Sequence, residues 1–102
     1  MEESRLKLQN KLEELLNHKH VYFQPPENLK MEYPAIRYSI SVIDNNYADN
    51  VKYSNFNCYE IIVIDQDPCN EVIQKILELP HSTFNRHYVS DNLNHDVIKL
   101  YF

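Results

Sequence analysis

The residues best suited to catalysis are acids near the end of an apolar run. Glu60, Asp65 and Asp67 have a spacing similar to that of the acids with which metal-dependent nucleases hold magnesium at a strand end. Such sites usually add a nearby lysine, and none follows here. Asp65 and Asp67 are better explained as turn and helix-capping residues, so a small metal-dependent nuclease is kept only as an alternative.

Five histidines raise the question of a metal site, because imidazole is the commonest metal ligand. His18 and His20 stand two residues apart at the end of a predicted helix, where their side chains would point apart. His81, His87 and His95 would supply further nitrogens, but the spacing of the five histidines is poor for a metal site. We therefore expect solvated histidines, with no metal and no cofactor.

The chain contains no glycine at all. Phosphate-binding loops, dinucleotide fingerprints and nucleophile elbows all need glycine for close backbone approach or a positive φ angle, so these chemistries are excluded together. Ser82 or Cys58 could be paired with some histidine, but no local motif supports a nucleophile. Cys58 and Cys69 form neither a zinc motif nor a disulfide framework. The sequence thus predicts no catalytic residues and no enzyme.

Length and charge limit the other classes of function. The 102 residues, 43% of them hydrophobic, predict a single domain spanning residues 1–102. A net charge of −5 with scattered bases opposes sequence-specific nucleic-acid binding. No apolar run is long enough to cross a membrane and the first residues do not resemble a signal peptide, so we expect a protein made in the cytoplasm.

Apolar periodicity predicts the first elements. Residues 3–16 carry leucines at helical spacing, followed by Asn17 as a C-terminal cap: Leu8, Leu12, Leu15 and Leu16. Residues 21–23 are predicted as a short extended piece. From residue 36 the period changes to two, with Ile36, Tyr38, Ile40 and Val42 on one face of a strand.

The second half of the chain repeats the alternation of helix and strands. Residues 57–64 predict a central strand, and Asp67 with Pro68 predicts the start of a second helix. A terminal hairpin follows, with Phe84, Arg86 and Tyr88 on one face and a turn at residues 91–94. The order α-β-β-α-β-β predicts an α+β fold, with a mainly antiparallel sheet of four to five strands and both helices packed on one face.

Eight tyrosines are a further unusual feature, because tyrosine is favoured in protein interfaces. The polar segment 44–57 carries aromatic and apolar residues that a small core has little room for, and residues 51–53 are a candidate start of the next strand. Alternatively, the segment 44–57 is a flexible β-turn extension whose aromatic residues have no functional role. The candidate oligomer interface consists of Tyr47, Val51, Tyr53 and Phe56.

Four stretches resemble the tail terminator, or tail completion, proteins of long-tailed bacteriophages and prophages. The stretches are Val21-Tyr22-Phe23-Gln24-Pro25-Pro26, Tyr33-Pro34-Ala35-Ile36-Arg37-Tyr38, Val63-Ile64-Asp65-Gln66-Asp67-Pro68 and Asp91-Asn92-Leu93-Asn94-His95. The resemblance implies an N-terminal helix, an antiparallel sheet and a second helix. It also implies a non-enzymatic virion protein at the head–tail junction.

The same resemblance implies the partners. Six copies would form a ring that caps the tail tube protein and docks to the head connector protein, while DNA passes through the ring. An acidic ring lumen would not retain the passing phosphates, which is compatible with the charge of −5. Another small connector component, an adaptor or a stopper, is the alternative within this class.

Overall fold

The computed structural model describes residues 2–17, 20–25, 30, 32–40, 58–67 and 70–102. It has the predicted α+β class. The elements in chain order are α1 (Glu2–Leu16), β1 (Val21–Phe23), β2 (Ala35–Ile40), β3 (Cys58–Asp65), α2 (Val72–Leu77), β4 (Ser82–Ser90) and β5 (Leu93–Tyr101).

The five strands form one sheet in the order β1-β2-β3-β5-β4. Only the pairing of β1 with β2 is parallel, so the prediction of a mainly antiparallel sheet with up to five strands is confirmed. The predicted element order omits β1, whose three residues gave too short an apolar pattern to indicate pairing. The possible strand opening at residues 51–53 lies outside the described residues.

Helix α1 forms because its leucines make one continuous apolar stripe. Leu8 and Leu12 are fully buried and Leu16 nearly so, while Leu15 packs against the same cluster, as predicted. The helix ends at Leu16, and Asn17 follows it with a φ of 62° and an N–H bond of 2.9 Å to the Glu13 carbonyl, which match the predicted cap.

The core lies between these leucines and one face of the sheet. Register places Tyr38 opposite Ile61, and Ile61 opposite Ile98, so these side chains share a face. All three belong to the buried cluster that also contains Val72 and Ile76 of α2. The period-two prediction for β2 is thereby confirmed through Ile40, and Val42 lies outside the described residues.

A polar contact crosses this core. The Tyr38 hydroxyl donates to Gln9 Oε1 at 2.5 Å, and Gln9 Nε2 donates to the Val21 carbonyl at 3.0 Å. One side chain of α1 therefore joins both β1 and β2. Burial raises the pKa of the Tyr38 hydroxyl above its ordinary value of 10.0, although hydrogen bonding to Arg5 and its charge act in the opposite direction.

Helix α2 begins later than predicted. The proposed cap at Asp67 is wrong, because the helix starts at Val72 and Glu71 is its N-terminal flanking residue. The side chain of Asn70 occupies the capping role instead, since its Oδ1 accepts the Val72 N–H at 2.9 Å. The resulting helix has only six residues.

The predicted terminal hairpin is present, with two corrections. Its turn consists of Asp91 and Asn92 alone, whose φ angles of 54° and 62° suit a two-residue turn, and Asn94 belongs to β5. A bulge between Phe84 and Arg86 shifts the register. Phe84 and Arg86 therefore lie on opposite faces, contrary to the predicted alternation.

The buried stripe of α1 makes a direct test of the core possible. Leu12→Asp places a carboxylate in the apolar cluster at a cost of several kcal/mol, on the order of a small domain's whole stability. We expect no cooperative thermal unfolding by circular dichroism. Leu6→Asp is the matched control on the same helix, because Leu6 is 49% exposed, and its melting curve should be nearly unchanged. An unchanged curve for Leu12→Asp would contradict the packing of α1.

The raised pKa of Tyr38 predicts a pH-dependent contribution to stability. Tyr38→Phe removes the bond to Gln9 and should cost about 1 kcal/mol near neutral pH. Above pH 10 the unfolded chain ionises at Tyr38 before the folded protein does, so the wild type should lose stability relative to Tyr38→Phe as pH rises. Urea unfolding at pH 8 and at pH 11 measures the difference. A constant difference between the two proteins would contradict this assignment.

Candidate interaction surface

The four residues predicted as an oligomer interface lie outside the described residues. Tyr47, Val51, Tyr53 and Phe56 all fall within residues 41–57. The described part of the chain nevertheless carries a second surface with the properties of an interface, on β4 and around it.

The nuclease hypothesis requires acids that converge, and two of its three acids do not. Glu60 is opposite Lys99 in the register and Asp65 is opposite Asn94. The two acids are five positions apart on β3, so they lie on opposite faces and about 17 Å apart along the strand. They cannot hold one metal ion within this strand.

Asp65 instead organises the connection from β3 to α2. Its Oδ2 accepts Nδ2–H of Asn70 at 2.6 Å, and the same Asn70 side chain caps Val72. Asn94 of β5 donates through Nδ2 to the backbone carbonyls of Asp65 at 3.3 Å and Gln66 at 3.1 Å. Asp65 is the last residue of β3, and these contacts give it a role in the connection that follows the strand.

The described histidines are held by separate local contacts. His20 lies 3.0 Å from a Glu32 carboxylate oxygen, and His87 Nδ1 lies 2.8 Å from Asp96 Oδ1. His95 stacks on Tyr88 with ring centroids 4.6 Å apart. Within the described ranges, no three histidine, cysteine, aspartate or glutamate side chains form a group able to hold a metal ion.

Strand β4 is the edge of the sheet beyond β5, and it is exposed on both faces. Every residue from Thr83 to Ser90 is exposed. Phe84, Tyr88 and Val89 are 44%, 37% and 63% exposed, although their side chains are large and apolar. Exposed apolar side chains on a long edge strand are typical of surfaces that bind another chain.

The face of β4 nearer to α2 borders a groove of about 520 Å³. Phe84 of β4 and Ile73 and Leu77 of α2 form its apolar wall. Glu71 and Asp96 add carboxylates, and Asn70 and Gln74 complete the lining. The groove therefore combines apolar surface with negative charge.

The opposite face of β4 has a different character. Arg86 is opposite Val97 and Tyr88 is opposite His95, so both side chains lie on this second face. The Arg86 guanidinium carbon is 5.6 Å from the centroid of the Tyr88 ring, and Tyr88 in turn stacks on His95. This face of the strand is thus aromatic and basic.

A second apolar pocket of about 370 Å³ opens where β4 begins and β5 ends. Leu79, Pro80 and His81 line it from the segment before β4, and Tyr101 and Phe102 line it from the end of the chain. His81 has a φ of 64°, and its carbonyl accepts the Tyr101 N–H at 3.2 Å. This contact joins the two ends of the pocket.

The sequence predicts β4 as one strand of a hairpin, and the prediction gives this strand no role as an interaction surface. A signal was available, because residues 82–90 hold only three large apolar residues, Phe84, Tyr88 and Val89, among six polar ones. Such a pattern supplies too little apolar surface to bury either face of a strand. The bulge places Phe84 on the same face as Val89, opposite to Tyr88, and it has no comparable signal in the sequence.

Comparison with protein-family models, curated proteins and solved structures finds no match to this chain. No helix in the described ranges has the length and apolar character needed to span a membrane.

The contacts of Asp65 predict a structural effect of its removal. Asp65→Ala leaves the Asn70 amide without its acceptor and loosens the cap of α2, so we expect a loss of about 1–2 kcal/mol in unfolding free energy. Urea denaturation measures it. Glu60→Ala, on the other face of the same strand, is the control and should cost less. Equal losses in the two variants would count against the capping role.

Proposed function

We propose that this chain is a non-enzymatic structural subunit of a long-tailed bacteriophage or prophage, a tail terminator that assembles with copies of itself into a ring. The observation that carries the proposal is the exposed edge strand β4, with Phe84, Tyr88 and Val89 in water. A monomer gains nothing from exposing these side chains together, whereas a subunit of an assembly buries them.

The fold supports the same proposal. The resemblance of the sequence to tail terminators implies an N-terminal helix, a mainly antiparallel sheet and a second helix, and the described elements have this composition. The agreement concerns the class of fold, which hosts many functions. The resemblance supplies the specific role at the head–tail junction.

A closed ring needs two different complementary patches on each subunit, because each copy contacts its two neighbours through different surfaces. The edge strand β4 supplies one candidate patch. The segment 44–57, with Tyr47, Val51, Tyr53 and Phe56, supplies the other in this proposal. Six subunits would surround the DNA, with the tail tube protein on one side and the head connector protein on the other.

An adaptor or stopper on the head side is the second candidate within this class. The two roles differ in partner, because a terminator contacts the tail tube protein directly. Mixing the purified chain with tail tubes and with heads that lack tails separates them. A terminator binds the tube ends, and an adaptor binds the heads.

The ring proposal predicts the effect of changing the segment 44–57. Replacing Tyr47 and Tyr53 by serine should abolish the ring-shaped oligomers in negative-stain electron microscopy, because both aromatic side chains are removed from the proposed contact. The melting temperature of the monomer should stay nearly unchanged. Tyr33→Ser is a matched control, since Tyr33 is 41% exposed and lies outside this segment. Intact oligomers by light scattering in the double variant would refute the assignment of the interface.

A further inference from the structure

The groove between α2 and β4 lies beside an available strand edge. In the described part of the chain β4 pairs with β5 on one side only, and its residues from Thr83 to Ser90 are exposed. Alternate N–H and C=O groups of an edge strand point away from the sheet, and an added strand pairs with them at a spacing of about 4.8 Å. An extended segment paired there would run along the mouth of the groove.

Register defines which positions of such a segment face the groove. Phe84 is opposite Ile98, and His87 is opposite Asp96, two positions earlier on β5. These two positions lie on the same face, about 7 Å apart along the sheet. Side chains two residues apart on an added strand have the same separation, so one would lie beside Phe84 and the next beside His87.

The lining determines the chemistry of those two side chains. The apolar part of the lining consists of Phe84 of β4 and of Ile73 and Leu77 of α2. The lining also contains the carboxylates of Glu71 and Asp96, of which Asp96 is opposite His87, and among the described residues it includes no lysine or arginine. The Asp96 side chain is about nine-tenths buried and His87 contacts its Oδ1. A long cationic side chain beside His87 would extend across β4 towards the Asp96 carboxylate.

We infer that this groove binds an extended segment of a partner protein by strand addition to β4. The segment presents an apolar residue and, two positions away, a lysine or arginine to the groove. Main-chain hydrogen bonds to β4 supply affinity, and the pair of groove-facing side chains supplies specificity. The residues of this binding site are not those of the proposed contact at 44–57.

A peptide assay tests the inference on the whole chain without rings or phage. The probe is a fluorescein-labelled peptide in which threonine alternates with leucine, arginine and valine, and the control peptide has glutamate in place of arginine. We expect saturable binding of the arginine peptide by fluorescence anisotropy, at least about tenfold tighter than that of the glutamate peptide. Hydrogen exchange should slow at β4 amides when the arginine peptide is bound.

Two variants on opposite faces of β4 locate the site. Phe84→Ser removes the apolar wall of the groove and should weaken binding about tenfold. Tyr88→Ser removes an equally exposed aromatic ring from the other face, and should leave the affinity within about twofold. Glu71→Lys should reduce the preference for arginine over glutamate. Thermal melts establish that each variant is folded.

The outcomes are decisive in both directions. Absence of binding by the arginine peptide at roughly 1 mM overturns the inference, as does equal affinity for the two peptides. Equal losses in folded Phe84→Ser and Tyr88→Ser would place binding away from the groove and overturn it as well. The peptide assay does not require the chain to form a ring. A failure to observe rings by electron microscopy would therefore not change the result of the peptide assay.

Discussion

The length of α2 limits how much of the sheet can be covered. The helix has six residues and spans about 9 Å, whereas β4 has nine residues and spans about 30 Å. Val72 and Ile76 are buried in the common core, and beside β4 the helix contributes Ile73 and Leu77 to the groove that Phe84 also lines. The edge strand therefore remains in water over nearly its whole length, and it retains surface for another chain.

Polar side chains of types that could do chemistry connect elements of secondary structure in this protein. Asp65 holds Asn70, which starts α2, and Gln9 joins α1 to the first two strands through Tyr38. Buried polar groups are stable only when they are hydrogen-bonded, so each of these contacts specifies one arrangement of its elements. The described residues provide polar contacts that position secondary structure, while the extended geometry of β3 separates Glu60 from Asp65.

The bulge in β4 gives the edge strand two chemically distinct faces. Without it, Phe84 would share a face with Arg86 and Tyr88. With it, Phe84 completes an apolar and acidic groove beside α2, while Arg86 and Tyr88 form an aromatic and basic surface on the reverse. A subunit of an assembly can use such a strand for two contacts, since each face matches a different kind of partner.

Local patterns in the sequence determined the leucine stripe of α1, the alternation of Ile36 and Tyr38, and the tight turn at Asp91 and Asn92. Each depends on residues within one or two turns of chain, so periodicity and turn preference suffice to predict it. Tertiary structure decided what depends on distant partners. The three residues of β1 become a strand because backbone bonds between residues far apart in sequence, from Ile36 N–H to the His20 carbonyl and from Gln24 N–H to the Tyr38 carbonyl, hold them against β2. The start of α2, the bulge and the exposure of β4 likewise follow from contacts between elements, which no short window of sequence contains.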